Sequence, residues 1–167
     1  MAGVWPAPGS AVRHDLSLAE VLLSFWKHAE KKYSVEGREL AMFKLSLKPL
    51  NRLYGQTKAS DFGPKALKAV QTAMASGCWM NDEERNQAKK RSWPTGWCRN
   101  VVNCRVVRIK TFFKWAESEE LVPKGTYHAL ATVSGLPLNE QTVRHTKPVE
   151  PATETQLNKI LPHFHRP

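Results

Sequence analysis

The stretch WCRNVVNCRVVRIKTFFKWA, residues 97–116, decides the fold. Read at 3.6 residues per turn, it is one long amphipathic helix. Val102, Val106, Ile109, Phe113 and Ala116 share one face and form an apolar stripe. Arg99, Asn103, Lys110 and Lys114 share another face, away from the stripe, and are expected to be exposed. This second face offers charged and amide donors with little acid beside them. Such a face suits phosphates and base edges in a DNA major groove. The same pattern also describes the solvated side of an ordinary core helix.

The charge balance favours the first alternative. The chain of 167 residues carries 25 Lys and Arg against 15 Asp and Glu, a net charge of +10. The excess is localised: Gly37 to Gly77 and Trp97 to Ser118 together supply +9 of it, and the residues before Gly37 are neutral. A basic surface concentrates polyanions and speeds their capture. No stretch is long and apolar enough to span a membrane. No charged start followed by an apolar run marks a secretory signal. Cys78, Cys98 and Cys104 are odd in number and fit no zinc spacing, so free thiols in a reducing cytoplasm are expected.

Working outward from that helix, the other apolar patterns are also helical. Residues 1–15 are rich in Pro, Gly and Ala and read as a loose arm. Ser17-Leu18-Ala19-Glu20 has the form of a capping box. Leu18, Leu22, Phe25, Ala29 and Tyr33 then follow at helical spacing, predicting a helix to about Ser34. Leu40, Phe43, Leu47, Leu50 and Tyr54 give a second stripe, with Lys44, Lys48 and Arg52 one turn apart on its outer side. Pro49 interrupts this pattern and Gly55 ends it. Gly63-Pro64 opens a third helix carrying Leu67, Val70 and Met74, and Gly77 closes it.

Residues 78–96 form a polar, charged insertion edged by Trp79, Trp93 and Pro94, with a short helix expected over Asn81 to Lys90. After the long basic helix, Val122-Pro123 is expected to start another short helix through Tyr127 and Leu130. Residues 134–152 have Pro and Gly punctuation and read as a linker. Thr155 to Leu161 looks like the start of one more helix. No alternating strand pattern appears. The expectation is an all-α bundle of four to five helices with a C-terminal linker.

This order of elements resembles the core-binding domain of tyrosine recombinases, the phage integrase family. The resemblance covers about Ser17 to Pro151. It is carried by Leu47-Lys48-Pro49-Leu50-Asn51-Arg52-Leu53-Tyr54-Gly55, by Asn100 to Lys110, and by Phe112-Phe113-Lys114-Trp115-Ala116. Glu119-Glu120-Leu121-Val122-Pro123 with Tyr127-His128-Ala129-Leu130 is similar to the family's return segment. The resemblance implies a SAM-like bundle that forms half of a clamp around double-stranded DNA and works beside other recombinase protomers. It places Lys44, Lys48, Arg52, Arg99, Asn100, Asn103, Lys110 and Lys114 against the duplex. It also implies a division into an arm (1–15), the DNA-binding domain (16–133), the linker (134–152) and the start of a truncated catalytic domain (153–167).

Asn100 and Asn103 also fit a capping role, since Asn near a helix start often caps it. Arg105 and Arg108 flank the apolar stripe and are expected to pack their stems or pair with acids. Trp26 and Trp115 are expected in the core. Trp93 and Trp97 suit either packing of the loop or stacking on nucleotides.

Members of the family cut DNA with a tyrosine beside an arginine-rich pocket that includes a His-x-x-Arg element. His163-Phe164-His165-Arg166 matches by letters, but no tyrosine follows it. Tyr33, Tyr54 and Tyr127 all fall in the helical domain. No catalytic residue, metal ligand or cofactor is expected in this chain. Its function is expected to be DNA binding in site-specific recombination and integration, in a cytoplasmic, nucleoid-associated setting. Two alternatives are a stand-alone helical DNA-binding regulator and an all-helical adaptor for an acidic protein.

Overall fold

Ser17 opens the first helix by a reciprocal cap. Its hydroxyl accepts the backbone N–H of Glu20 at 3.3 Å, and the Glu20 carboxylate accepts the Ser17 backbone N–H at 2.8 Å. Two donors that a helix start leaves free are thereby satisfied. The Ser17 hydroxyl also donates to the Glu20 carboxylate at 2.7 Å, and this bond, with the Ser17 backbone N–H next, holds the Glu20 carboxyl below its ordinary pKa. The computed structural model describes residues 16–33, 37–140, 143–144 and 150–161. The expected arm and the His163–Arg166 run lie outside the described residues.

The helix that Ser17 caps is α1, Leu18–Lys32. α2 spans Arg38–Tyr54 and keeps Pro49 inside it, which leaves the Leu45 carbonyl without its helical donor. α3 runs Pro64–Ser76, with proline in its first turn and Gly77 left-handed at its end (φ 78°). The insertion does contain a helix, α4, Asp82–Lys90, capped reciprocally by Asn81 and Glu84. α5 is Arg99–Ser118, α6 Thr126–Ala131 and α7 Glu154–Ile160. No strand occurs among the described residues, and the fold is all-helical.

α5 is the axis of the bundle and packs against α1, α2, α3 and α6. All five residues of its predicted stripe are buried, and so is Phe112, which the stripe did not include. Four neighbours cover a wider arc than one stripe, and Phe112 fills the added part. The Phe25 ring meets Phe43, Phe112 and Trp115 edge-on at 5.2–5.3 Å, and Phe62 stacks on Phe113 at 4.9 Å. Each such fully buried side chain stabilises the fold by about 1.5–3 kcal/mol relative to exposure.

Two boundaries differ from the expected ones. The last short helix of the bundle starts at Thr126, not at Val122-Pro123, because the chain passes through a left-handed Gly125 (φ 90°) immediately before it. Its free N–H groups are capped from α5: the Glu117 carboxylate accepts the N–H of Gly125 at 3.0 Å and of Tyr127 at 2.7 Å. These bonds, Gly125 first, hold the Glu117 carboxyl below its ordinary pKa. The first part of the expected linker is sewn to the bundle. Gln71 donates to the Ser134 carbonyl at 3.2 Å, and Val143 is buried in the core.

The insertion is a closed excursion whose ends touch. Trp97 N–H donates to the Met74 carbonyl at 3.1 Å. A Cβ on Gly96 would stand 2.0 Å from the Ala75 carbonyl oxygen, and one on Gly77 2.4 Å from that of Thr95. Only glycine permits this backbone crossing. α4 is therefore presented on a fixed base beside α2.

Candidate nucleic-acid interface

The helical period puts Lys44, Lys48 and Arg52 in one row along α2, and the fold then sets α4 against that row. Glu84 is the residue that meets it. One carboxylate oxygen accepts Lys48 Nζ at 2.5 Å and the other accepts Arg52 Nη1 at 2.6 Å. The Arg52 guanidinium, and after it the Lys48 ammonium, hold the Glu84 carboxyl down at about 2. Arg52 also donates to the Trp79 carbonyl at 3.3 Å. Both cations approach the Trp79 ring, at 5.9 Å for Lys48 and 5.7 Å for Arg52. Lys44, one turn earlier, is exposed and has no partner among the described residues. It stands at the lip of a groove between α1 and α2 floored by Leu22, Leu23, Trp26 and Leu47.

On α5 the expected residues divide. Asn103 grips the backbone of Leu136 at two points, donating to its carbonyl at 3.2 Å and accepting its N–H at 2.8 Å. Arg99 reaches the same carbonyl at 3.5 Å. Lys110 donates to the carbonyls of Val133 at 2.6 Å and Ala131 at 3.4 Å, at the end of α6. These three side chains fasten the returning chain to the bundle, so part of their donor capacity is used within the fold. Arg99, Asn103 and Lys110 are half-buried rather than exposed as expected. Asn100 and Lys114 are exposed, and the Lys114 ammonium lies 5.8 Å from the Tyr127 ring centroid. Cys98, not Asn100 or Asn103, occupies the cap position of α5.

Arg105 and Arg108 behave as their place beside the stripe suggests. Arg105 lies over the Trp97 ring at 4.0 Å, and burial, with the nearby Arg108 charge, pulls its pKa down. Arg108 donates to both Glu39 oxygens at 3.3 Å. Trp26 and Trp115 are partly buried against the core. Tyr33 packs on Phe43 and Tyr54 on Phe62, with ring centroids 5.7 and 5.4 Å apart. All three cysteines are free thiols. Among the described residues no helix is long and apolar enough to cross a membrane.

Sequence reasoning missed Glu84. The Asn81-x-x-Glu84 spacing signals a capping box, but nothing in the chain order tells that its carboxylate meets α2. It also missed the grouping of Trp79, Trp93 and Trp97 around one pocket. What α2 and α5 offer chemically is a set of ammonium, guanidinium and amide donors suited to anionic oxygen. Glu84 already shows such an oxygen in place. No family model matches the chain, and no curated protein or solved structure matches it either.

Proposed function

We propose that this chain is a duplex-DNA-binding domain of the core-binding type carried by tyrosine recombinases, acting in DNA recombination and integration without performing the strand chemistry itself. The observation that carries the reading is the packing of α2 on α5, the most extensive helix pair of the bundle. It sets side by side two helices that carry +3 (α2) and +4 (α5), together +7 of the net charge of +10. Phosphate contacts fall first to Lys44 and Lys114, which are exposed. Lys48 and Arg52 join when phosphate oxygens replace the Glu84 carboxylate. Asn100 remains available for a base edge or a sugar. Arg99, Asn103 and Lys110 contribute mainly by holding the return segment in position. Recombinase protomers on the same DNA are the partners this reading implies.

The Glu84 contact also favours a second reading, an adaptor whose basic face binds an acidic protein, because it is itself a carboxylate on these cations. Fluorescence anisotropy separates the two. A labelled duplex should bind with strong salt dependence, and an acidic polyglutamate peptide of equal charge should compete poorly. Lys44→Ala and Lys114→Ala should each reduce the slope of log affinity against log salt by about one unit. Equal competition by the peptide, with unchanged slopes in both variants, would turn the assignment to the adaptor.

A further inference from the structure

Beside the α2 row, α4 and the residues that follow it enclose a pocket of about 270 Å³. Trp79, Trp93, Pro94 and Trp97 line it, with Leu45 of α2 and Arg91 at the end of α4. Trp79 is buried and its Nε1–H has no hydrogen-bond partner. Trp97 stands 5.0 Å from it, with Arg105 over its ring. Trp93 is different: it is 60 % exposed, with the Arg91 guanidinium 4.9 Å from its ring centroid. Leu45 is also exposed at 43 %. A single exposed apolar side chain needs no special reason. An open tryptophan and an open leucine at the mouth of a pocket with two further tryptophans make a surface that fits a flat aromatic ligand.

Charge selects the kind of ligand. Arg91 lines the pocket, Lys48 and Arg52 compensate its one lining acid, Glu84, and Arg105 lies over the ring of Trp97. A cationic ligand of the sort aromatic cages hold would meet net repulsion. A flat ring that carries a phosphate meets both the aromatic wall and the cations. We infer that this pocket takes one unpaired nucleobase, stacked on Trp93, with its phosphate beside Arg91. This rests on the DNA-binding reading and adds to it a preference for duplex that has a frayed, bulged or single-stranded nucleotide next to the α2 contact. Stacking on aromatic side chains tolerates any base, since each has a π face.

The test is anisotropy on three labelled probes: a blunt duplex, the same duplex with a three-thymidine overhang, and a third with an abasic overhang of equal phosphate count. The thymidine probe should bind about fivefold or more tighter than the abasic one, from base–aromatic stacking. Trp93→Ala should erase that difference and leave blunt-duplex affinity unchanged, while Trp93→Phe should keep most of it. Far-ultraviolet circular dichroism confirms that both variants are folded. Equal binding of thymidine and abasic probes overturns the proposal, as does a Trp93→Ala loss that is the same for all three. Failure of the blunt duplex to bind strikes the duplex reading instead. The pocket is then judged by thymidine against abasic single strands, where equal binding refutes it. Quenching of tryptophan emission by choline but not by thymidine nucleotide would assign the pocket to cations and also refute it.

Discussion

Replacing Glu84 by Gln separates the two demands on the α2 cations. The carboxylate holds Lys48 at 2.5 Å and Arg52 at 2.6 Å, with side chains 46 % and 34 % exposed. Ion pairs this open to solvent are worth about 0.2–1 kcal/mol each. Gln keeps an acceptor oxygen for the Asn81 N–H, so the α4 cap survives in the variant. The expected loss of stability is therefore about 0.4–2 kcal/mol. The same free energy no longer opposes phosphate binding. At 1.4 kcal/mol per decade, DNA affinity should rise about twofold to thirtyfold. The salt slope should steepen by up to about two units if both cations reach phosphates.

The pH dependence has a definite sign. The Glu84 pKa is lowered to about 2 from 4.5. Its stabilisation is present above the unfolded value and is lost as pH falls from about 4.5 toward 2. The stability gap between wild type and Glu84→Gln should be constant above about pH 5.5, shrink below it, and close only as pH falls through about 2. Urea unfolding at several pH values and anisotropy at several salt concentrations read both effects. An unchanged or weaker DNA affinity in a folded Glu84→Gln variant would refute the competition between carboxylate and phosphate.

Three further outcomes follow from the packing. Ile109→Ala, at a fully buried site on the central helix, should cost about 2–5 kcal/mol in chemical denaturation, and a cost below about 1 would place α5 in another rotation. Glu117→Gln leaves one acceptor fewer for two backbone donors and should cost about 0.5–1.5 kcal/mol, with faster amide exchange at Gly125 and Tyr127; unchanged exchange there would contradict the cap. Gly96→Ala drives a methyl against the Ala75 carbonyl and should destabilise by about 1–3 kcal/mol, whereas a neutral change would mean that the two ends of the insertion do not cross so closely.

The bundle was readable because its rules are local. Ser17 and Glu20 lie within one turn, the α5 stripe repeats at the helical period, and Pro64 and Gly77 mark the ends of α3. The short helix of the insertion was readable for the same reason. The start of the last bundle helix was not, because it depends on Glu117 reaching across from α5 and on a left-handed Gly125. The candidate site was legible as a list of side chains but not as an arrangement. Periodicity says that Lys48 and Arg52 share a face. It does not say that Glu84, more than thirty residues away, lies opposite. Arg99, Asn103 and Lys110 share a face as expected, yet that face meets Ala131, Val133 and Leu136 of the returning chain. Backbone carbonyls carry no sequence signature, so that use of donors could not be read in advance.

The central claim is that the side-by-side basic segments of α2 and α5 bind the phosphates of duplex DNA. Its most direct test is the affinity of the intact chain for a blunt duplex measured from about 50 to about 200 mM salt. With Lys44 and Lys114 engaged and Lys48 and Arg52 recruited, log affinity should fall linearly against log salt with a slope of about −2 to −4. An affinity that stays flat across that range would contradict the account.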